Sequence, residues 1–218
     1  NSALYVWGRN DHGDGFGQTA VDNTSPTEVT GLTEAKDVKF IYAYGGDYDD
    51  VNSDPSSLAW FLTSTGKAYY TGRNNYGQGG VGTTQDVYTW THSGGNLRFR
   101  EVYNNEHFSV ALEGVPGTGH HGQTYGAWGT DTKVYTVGRN NEYVVSWVSG
   151  TKTTWVDYSP TSVENAKTST SGTVNFPQGR IVLAQPEFVG NLGVLWMLDC
   201  NSNVWVIGDD DDYDWTTG

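Results

Sequence analysis

The stretch "LYVWGRNDHG" (residues 4–13) returns as "AYYTGRNNYG" (68–77) and again as "VYTVGRNNEY" (134–143). Each copy sets a short aromatic and β-branched run before the same Gly-Arg-Asn. Aligned on the glycine, a fourth copy follows as "VWVIGDDDDY" (204–213). The anchors are Gly8, Gly72, Gly138 and Gly208, separated by 64, 66 and 70 residues. Three places earlier stands an aromatic each time: Tyr5, Tyr69, Tyr135 and Trp205. Self-similarity at such a period marks a repeat architecture, and the segments before the glycines read as short strands. Residues 4–7, 68–71, 134–137 and 203–207 are therefore expected to be equivalent strands.

A second signal precedes the last three glycines: "SSLAWFLTSTG" (56–66), "TYGAWGTDT" (124–132) and "LGVLWMLDCNS" (192–202). Each carries a tryptophan (Trp60, Trp128, Trp196), then a turn, then the next strand, which is the pattern of a hairpin. The three tryptophans are expected to share one core position, where large rings in apolar strands pack between repeats. Spaced glycines follow the first two anchors, and "SPTEV" (25–29) and "SPTSV" (159–163) read as turns into extended segments. No segment keeps a convincing helical period, and no linker divides residues 1–218, so a single repeat domain is expected. Its repeats run over about 8–71, 72–137 and 138–207, with the start of a further one at 208–218.

Composition agrees. Nine Trp, 14 Tyr and 29 Gly in 218 residues suit many short strands joined by tight turns. Twelve Lys and Arg against 25 Asp and Glu leave a net charge of −13. Such a chain lacks the basic surface that displaces counterions from phosphate, which excludes nucleic acid as its main partner, and anionic membranes are disfavoured alike. "NLRFR" (96–100) is the one short basic candidate. The longest apolar run, "LGVLWML" (192–198), falls far short of the ~20 residues of a membrane helix, so no membrane insertion is expected. The lone Cys200 permits no intramolecular disulfide and reads as a free thiol.

With strand–turn–strand units, "VWGRNDHGDGFG" (6–17), "YTGRNNYGQGGVG" (70–82) and the later Ser-Pro, the chain resembles the repeats of the regulator of chromosome condensation family. "LAWFLTSTGKAYYTG" (58–72) matches that family's preceding hairpin. The likeness covers most of the chain, strongly in the first repeat and a half and weakly after Val144. It implies an all-β fold: a β-propeller of four-stranded antiparallel blades. Tectonin-type lectin repeats, also propellers, are a second resemblance with a different glycine turn. Independently, small antiparallel sheets repeated radially suit this spacing, and each must stack on its neighbours to bury both faces. About three repeats are too few for the usual ring. The expectation is a segment of a longer chain, continuing past Gly218, or a protomer whose end blades pack on other subunits.

Several residues invite chemistry. Arg9, Arg73 and Arg139 recur at one turn position, where pairing with neighbouring Asp is the expected use and an anion-binding ring the alternative. "GGDYDDVNSD" (45–54) and "DDDDYD" (209–214) offer oxygen ligands for Ca²⁺, but neither has the spacing of an EF-hand, and solvated loops are expected. No other cofactor is implied. "GHHG" (119–122) puts two imidazoles side by side, where neighbours in an extended chain point apart. No nucleophile elbow, phosphate loop or Cys/His pair is present, and no carboxylate pair stands out, so an enzyme is not expected.

The expected function is a non-catalytic binding or structural module that presents loops on a rigid scaffold. Acidic, aromatic, disulfide-free repeats suit a bacteriophage tail fibre, virion surface or prokaryotic appendage. Other subunits of an assembly and a host glycan or protein receptor would then be its partners. Tyr48 beside Asp47, Asp49 and Asp50 is the candidate sugar site, a ring to pack on the sugar face and oxygens for its hydroxyls. The alternatives are a cytoplasmic propeller regulator of the small-GTPase exchange-factor type, or a free lectin.

Overall fold

A computed structural model describes residues 3–8, 22–45, 57–116, 133–140, 150–158, 181–189, 192–199, 202 and 204–208. They form thirteen strands, and a single 3-10 turn at Thr33–Lys36 is the one helical element among them. The strands are β1 (Tyr5–Gly8), β2 (Asn23–Glu28), β3 (Val38–Gly45), β4 (Ser57–Thr63), β5 (Ala68–Gly72), β6 (Val87–Ser93) and β7 (Phe99–Asn104). They continue as β8 (Phe108–Glu113), β9 (Val134–Gly138), β10 (Lys152–Asp157), β11 (Ile181–Val189), β12 (Leu192–Asp199) and β13 (Val204–Gly208). Every pairing is antiparallel between strands adjacent in the chain.

Two sheets have four strands, β3-β4-β5-β6 and β7-β8-β9-β10. A three-stranded sheet, β11-β12-β13, follows them, and a two-stranded one, β1-β2, precedes them. These are blades of a β-propeller. The first strands of successive blades meet, β3 with β7 and β7 with β11, so they gather on the inner side while the fourth strands lie outward. The predicted equivalent strands are β1, β5, β9 and β13, the third in their blades. A repeat counted from glycine to glycine therefore straddles two blades.

The central strands are buried on both faces, which is why their sequences do not alternate cleanly. In β8, Phe108, Val110 and Leu112 face one core with Val134, Tyr158, Ile181, Leu195 and Met197. Ala111 and Tyr135 face the other, with Leu58, Trp60, Tyr70, Phe99 and Val102. The second full blade is thus sandwiched, and each core belongs to two neighbouring blades. Burying a side chain of this size stabilises the fold by about 1.5–3 kcal/mol, which binds blade to blade.

One expectation fails here. Trp60 pairs with Tyr70 and Trp196 with Val206, two places before Gly72 and Gly208, but the residue opposite Thr136 is Val110. The hairpin partner of β9 is β8, not the segment around Trp128, which lies outside the described residues. Nearness in sequence pointed to 124–132, whereas the apolar run "FSVAL" (108–112) holds the buried position and a long B–C connection intervenes. Trp60 is buried and Trp196 half-buried.

Candidate functional site

The repeated glycine has a steric cause. Gly72 and Gly138 lie at φ +112° and +122°, and Gly8 at +123°, in a region side chains rarely adopt. A Cβ on Gly72 would stand 2.5 Å from the Ser57 carbonyl oxygen and 2.6 Å from Leu58 Cα. One on Gly138 would meet the His107 oxygen at 2.5 Å and Phe108 Cα at 2.7 Å. The next residue then donates its N–H back across the blade, Arg73 to Ser57 and Arg139 to His107, at 3.0 and 2.9 Å. The asparagine organises the connection that follows. Asn74, fully buried, accepts from the Gly79 N–H at 2.7 Å and donates Nδ2 to the carbonyls of Thr83 and Gln85. Asn140 is buried at the equivalent place.

This connection between third and fourth strands then reaches the first turn of the next blade. Arg73 Nη1 donates to Glu106 Oε1 at 2.8 Å, with the guanidinium largely buried. Gln78 Nε2 donates to the Glu106 carbonyl at 3.0 Å, while Ser109 Oγ donates to the Gln78 carbonyl at 2.8 Å. The Tyr76 ring packs on His107 with centroids 4.6 Å apart. Arg73 lies 6.0 Å and Arg139 5.5 Å from the Tyr76 ring centroid, within cation–π range. Burial drives the His107 pKa down to about 4, opposed by Glu106 and helped by Arg139 and Arg73. The imidazole is therefore neutral at physiological pH and works as a packing ring.

Arg73 pairs with Glu106, 33 residues away on the next blade. Glu106, Gln78, Tyr76 and His107 were not singled out in the sequence. A pair of this kind shows no local pattern; only the repeat, placing a turn after each first strand, could have pointed to it.

The same geometry sorts the charge. Third-to-fourth connections (9–22, 73–86 and 139–151) and first-to-second connections (46–56, 105–107 and 190–191) join strand ends at the glycine end of the blades, and 209–218 follow Gly208 in the sequence. By sequence position these segments carry 15 of the 25 carboxylates and three of the 12 Lys and Arg. Their balance is −12 out of a total of −13.

Tyr48, Asp47, Asp49 and Asp50 fall in the 46–56 connection, outside the described residues, as do the run 209–214, "GHHG" and Cys200. Among the described residues no three His, Cys, Asp or Glu side chains gather as a metal site. Of the aromatics before the glycines, Tyr69 and Tyr135 are buried, Trp205 is half-buried and Tyr5 exposed. Tyr69 stacks on Phe61 at 4.8 Å, and burial together with a hydrogen bond to Glu34 raises its pKa to about 12. These are structural positions. No helix is long and apolar enough to cross a membrane, which bears only on helical spans.

Sheets, register and radial stacking define a β-propeller fold built of four-stranded antiparallel blades. Solved structures agree on that fold. Human WBSCR16 superposes with a TM-score of 0.61 at 17% identity, over 94% of this chain and 42% of that one. Prp20p from Saccharomyces cerevisiae, described with its binding properties to Gsp1p and histones, gives 0.55 at 17% identity, over 84% and 37%. The chain thus spans about two-fifths of each. No family model matches it, and no curated protein does.

Proposed function

We propose that this chain is a non-catalytic protein-binding module whose working surface is the glycine end of the blades, and that its partner is a basic protein. One observation carries the reading: by sequence position −12 of the −13 charges fall in segments that join or follow strand ends at that end, where Arg73, Tyr76, Gln78, Glu106 and His107 form a cross-blade lattice. Complementary charge of this density steers association and sets its salt dependence more than its final affinity. A rigid scaffold carrying variable connections is also where binding residues concentrate. The described binding of Prp20p to histones, which are basic, supports the same chemistry here. The net charge of −13 speaks against DNA, not against the proteins that DNA attracts.

A titration tests it. A core histone dimer, with a small basic enzyme as control, is added to the purified chain across a salt series. Binding should weaken about tenfold between about 50 and 300 mM salt, and the histone should bind more tightly than the control. No binding at low salt, or equal binding by both proteins, would defeat the proposal.

A second reading is favoured by the likeness to Prp20p, which is described with Gsp1p, a small GTPase: an exchange factor of that type. It calls for faster release of a labelled guanine nucleotide from such a GTPase on adding this chain. Location at a virion surface or external appendage, with host glycan bound near Tyr48, is a further proposal supported by composition alone. Attachment to a glycan array, lost when Tyr48 and Asp49 are both replaced, is its test.

A further inference from the structure

A cleft of about 390 Å³ opens between the outer strands of the two complete blades. Its walls are Val81 and Leu97, His92 of β6, and Thr154 and Trp155 of β10, with Gly80, Gly82, Gly94 and Gly95 as bare backbone between them. That volume lies at the low end of the ~300–1,000 Å³ of small-molecule sites, too small to seat a folded segment of a partner.

The cleft is built. Trp155 Nε1 donates to Ser93 Oγ at 2.8 Å, and Ser93 Oγ lies 2.7 Å from the Gly79 carbonyl. The indole is braced by Phe99 at 4.8 Å and Trp60 at 5.7 Å between centroids. A Cβ on Gly80 would come within 2.5 Å of Trp155 Nε1, so the glycine lets the ring in. Positions 82 and 95 differ: a Cβ there would meet nothing within 4 Å, which leaves backbone facing open space. One cation stands beside the mouth, against the trend of the chain. Arg98 is held there by hydrogen bonds from Nη1 to the Leu97 and Gly95 carbonyls, at 2.7 and 3.3 Å. Lys67 and Arg98 both act on His92, and Glu34, 3.9 Å from Lys67, is the opposing carboxylate.

We infer that this cleft binds a sugar acid: a pyranose whose apolar face packs on Trp155, Leu97 and Val81 and whose carboxylate or sulfate meets Arg98 and His92. An apolar floor asks for a ring, and a cation beside the mouth, in an acidic chain, selects an anion. Gly80, Val81 and Gly82 belong to the 73–86 connection, but the occupant here is a small sugar and not a basic protein, so the two readings fail separately.

The experiment titrates N-acetylneuraminic acid, glucuronic acid, glucose and inorganic sulfate into the full chain, reading the Trp155 indole N–H by NMR. The sugar acids should shift that signal with a Kd of about 1 mM, and glucose and sulfate should each bind at least about tenfold more weakly. Arg98→Gln should weaken the sugar acid about tenfold through loss of one charge-assisted contact. Burial, then Lys67 and Arg98, hold the His92 pKa below its ordinary value, against Glu34, so affinity should rise as pH falls from about 8 to 5.5. His92→Gln should remove that rise. Both variants alter side chains outside the core, and an unchanged far-ultraviolet spectrum confirms folding. Equal binding of glucose, equal binding of sulfate, an unmoved indole signal or an indifferent Arg98→Gln would each overturn the assignment.

Discussion

Replacing Gly72 by alanine isolates the steric reason for the repeat. The new Cβ would sit 2.5 Å from the Ser57 oxygen and 2.6 Å from Leu58 Cα, where about 3.4 Å is comfortable. Neither is the end of a flexible side chain, so the β4–β5 pair itself must part. Holding an L side chain at φ +112° costs about 1–2 kcal/mol, and forced overpacking about 1–3 more. The sum is about 3 kcal/mol, or a fall in Tm of roughly 6–12 °C for a chain of this size. Gly82→Ala is the control. Its φ is +90°, but nothing lies within 4 Å of the added methyl, so only the conformational strain of about 1 kcal/mol applies. Thermal and urea unfolding of both variants, followed by circular dichroism, measure the difference. A Gly72→Ala that unfolds no more readily than Gly82→Ala would refute the close-approach argument.

Three further outcomes follow from the blade-to-blade contacts. A double-mutant cycle on Arg73→Gln and Glu106→Gln should give a coupling of about 1–2 kcal/mol in urea unfolding, because the pair is largely buried; zero coupling would make it ornamental. His107, whose pKa falls to about 4 on folding from an ordinary value near 6.5, binds fewer protons folded than unfolded across that window. Its contribution is therefore complete above pH 6.5 and lost as pH falls towards 4, and His107→Gln should flatten the slope of stability against pH there. Trp60→Ala should destabilise by about 3–5 kcal/mol, since the ring is only 1% exposed between two blades; a cost below about 1 kcal/mol would mean that the cores do not hold the blades together.

The fold was legible where the sequence repeats. Gly72 and Gly138 end equivalent strands where backbone closely approaches backbone, and Gly8 shares their positive φ. Trp60 and Trp196 pair two places before their glycines, whereas Val110 holds that register on β9 and Trp128 lies outside the described residues. The hairpin register is set by which apolar run is buried, and the "FSVAL" run (108–112) lacks the tryptophan that labels the other copies. The candidate site was far less legible. The arginines of the repeat were visible, but their partner Glu106 and the ring His107 come from the next blade and carry no signature of their own. The gathering of carboxylates was equally hidden. Asp47, Asp86 and Asp209 look scattered along the chain until the strand order shows that their segments join or follow strand ends at one end.

The most direct test of the account is a hydrogen-exchange footprint of the chain with and without a bound core histone dimer. Protection should fall on residues 73–80, 105–107 and 139–140, at the glycine end, and leave the opposite turns at 64–67 and 114–116 unchanged. Protection confined to those opposite turns, with the glycine end exchanging as freely as before, would contradict the claim that the acidic end of the blades is the working surface.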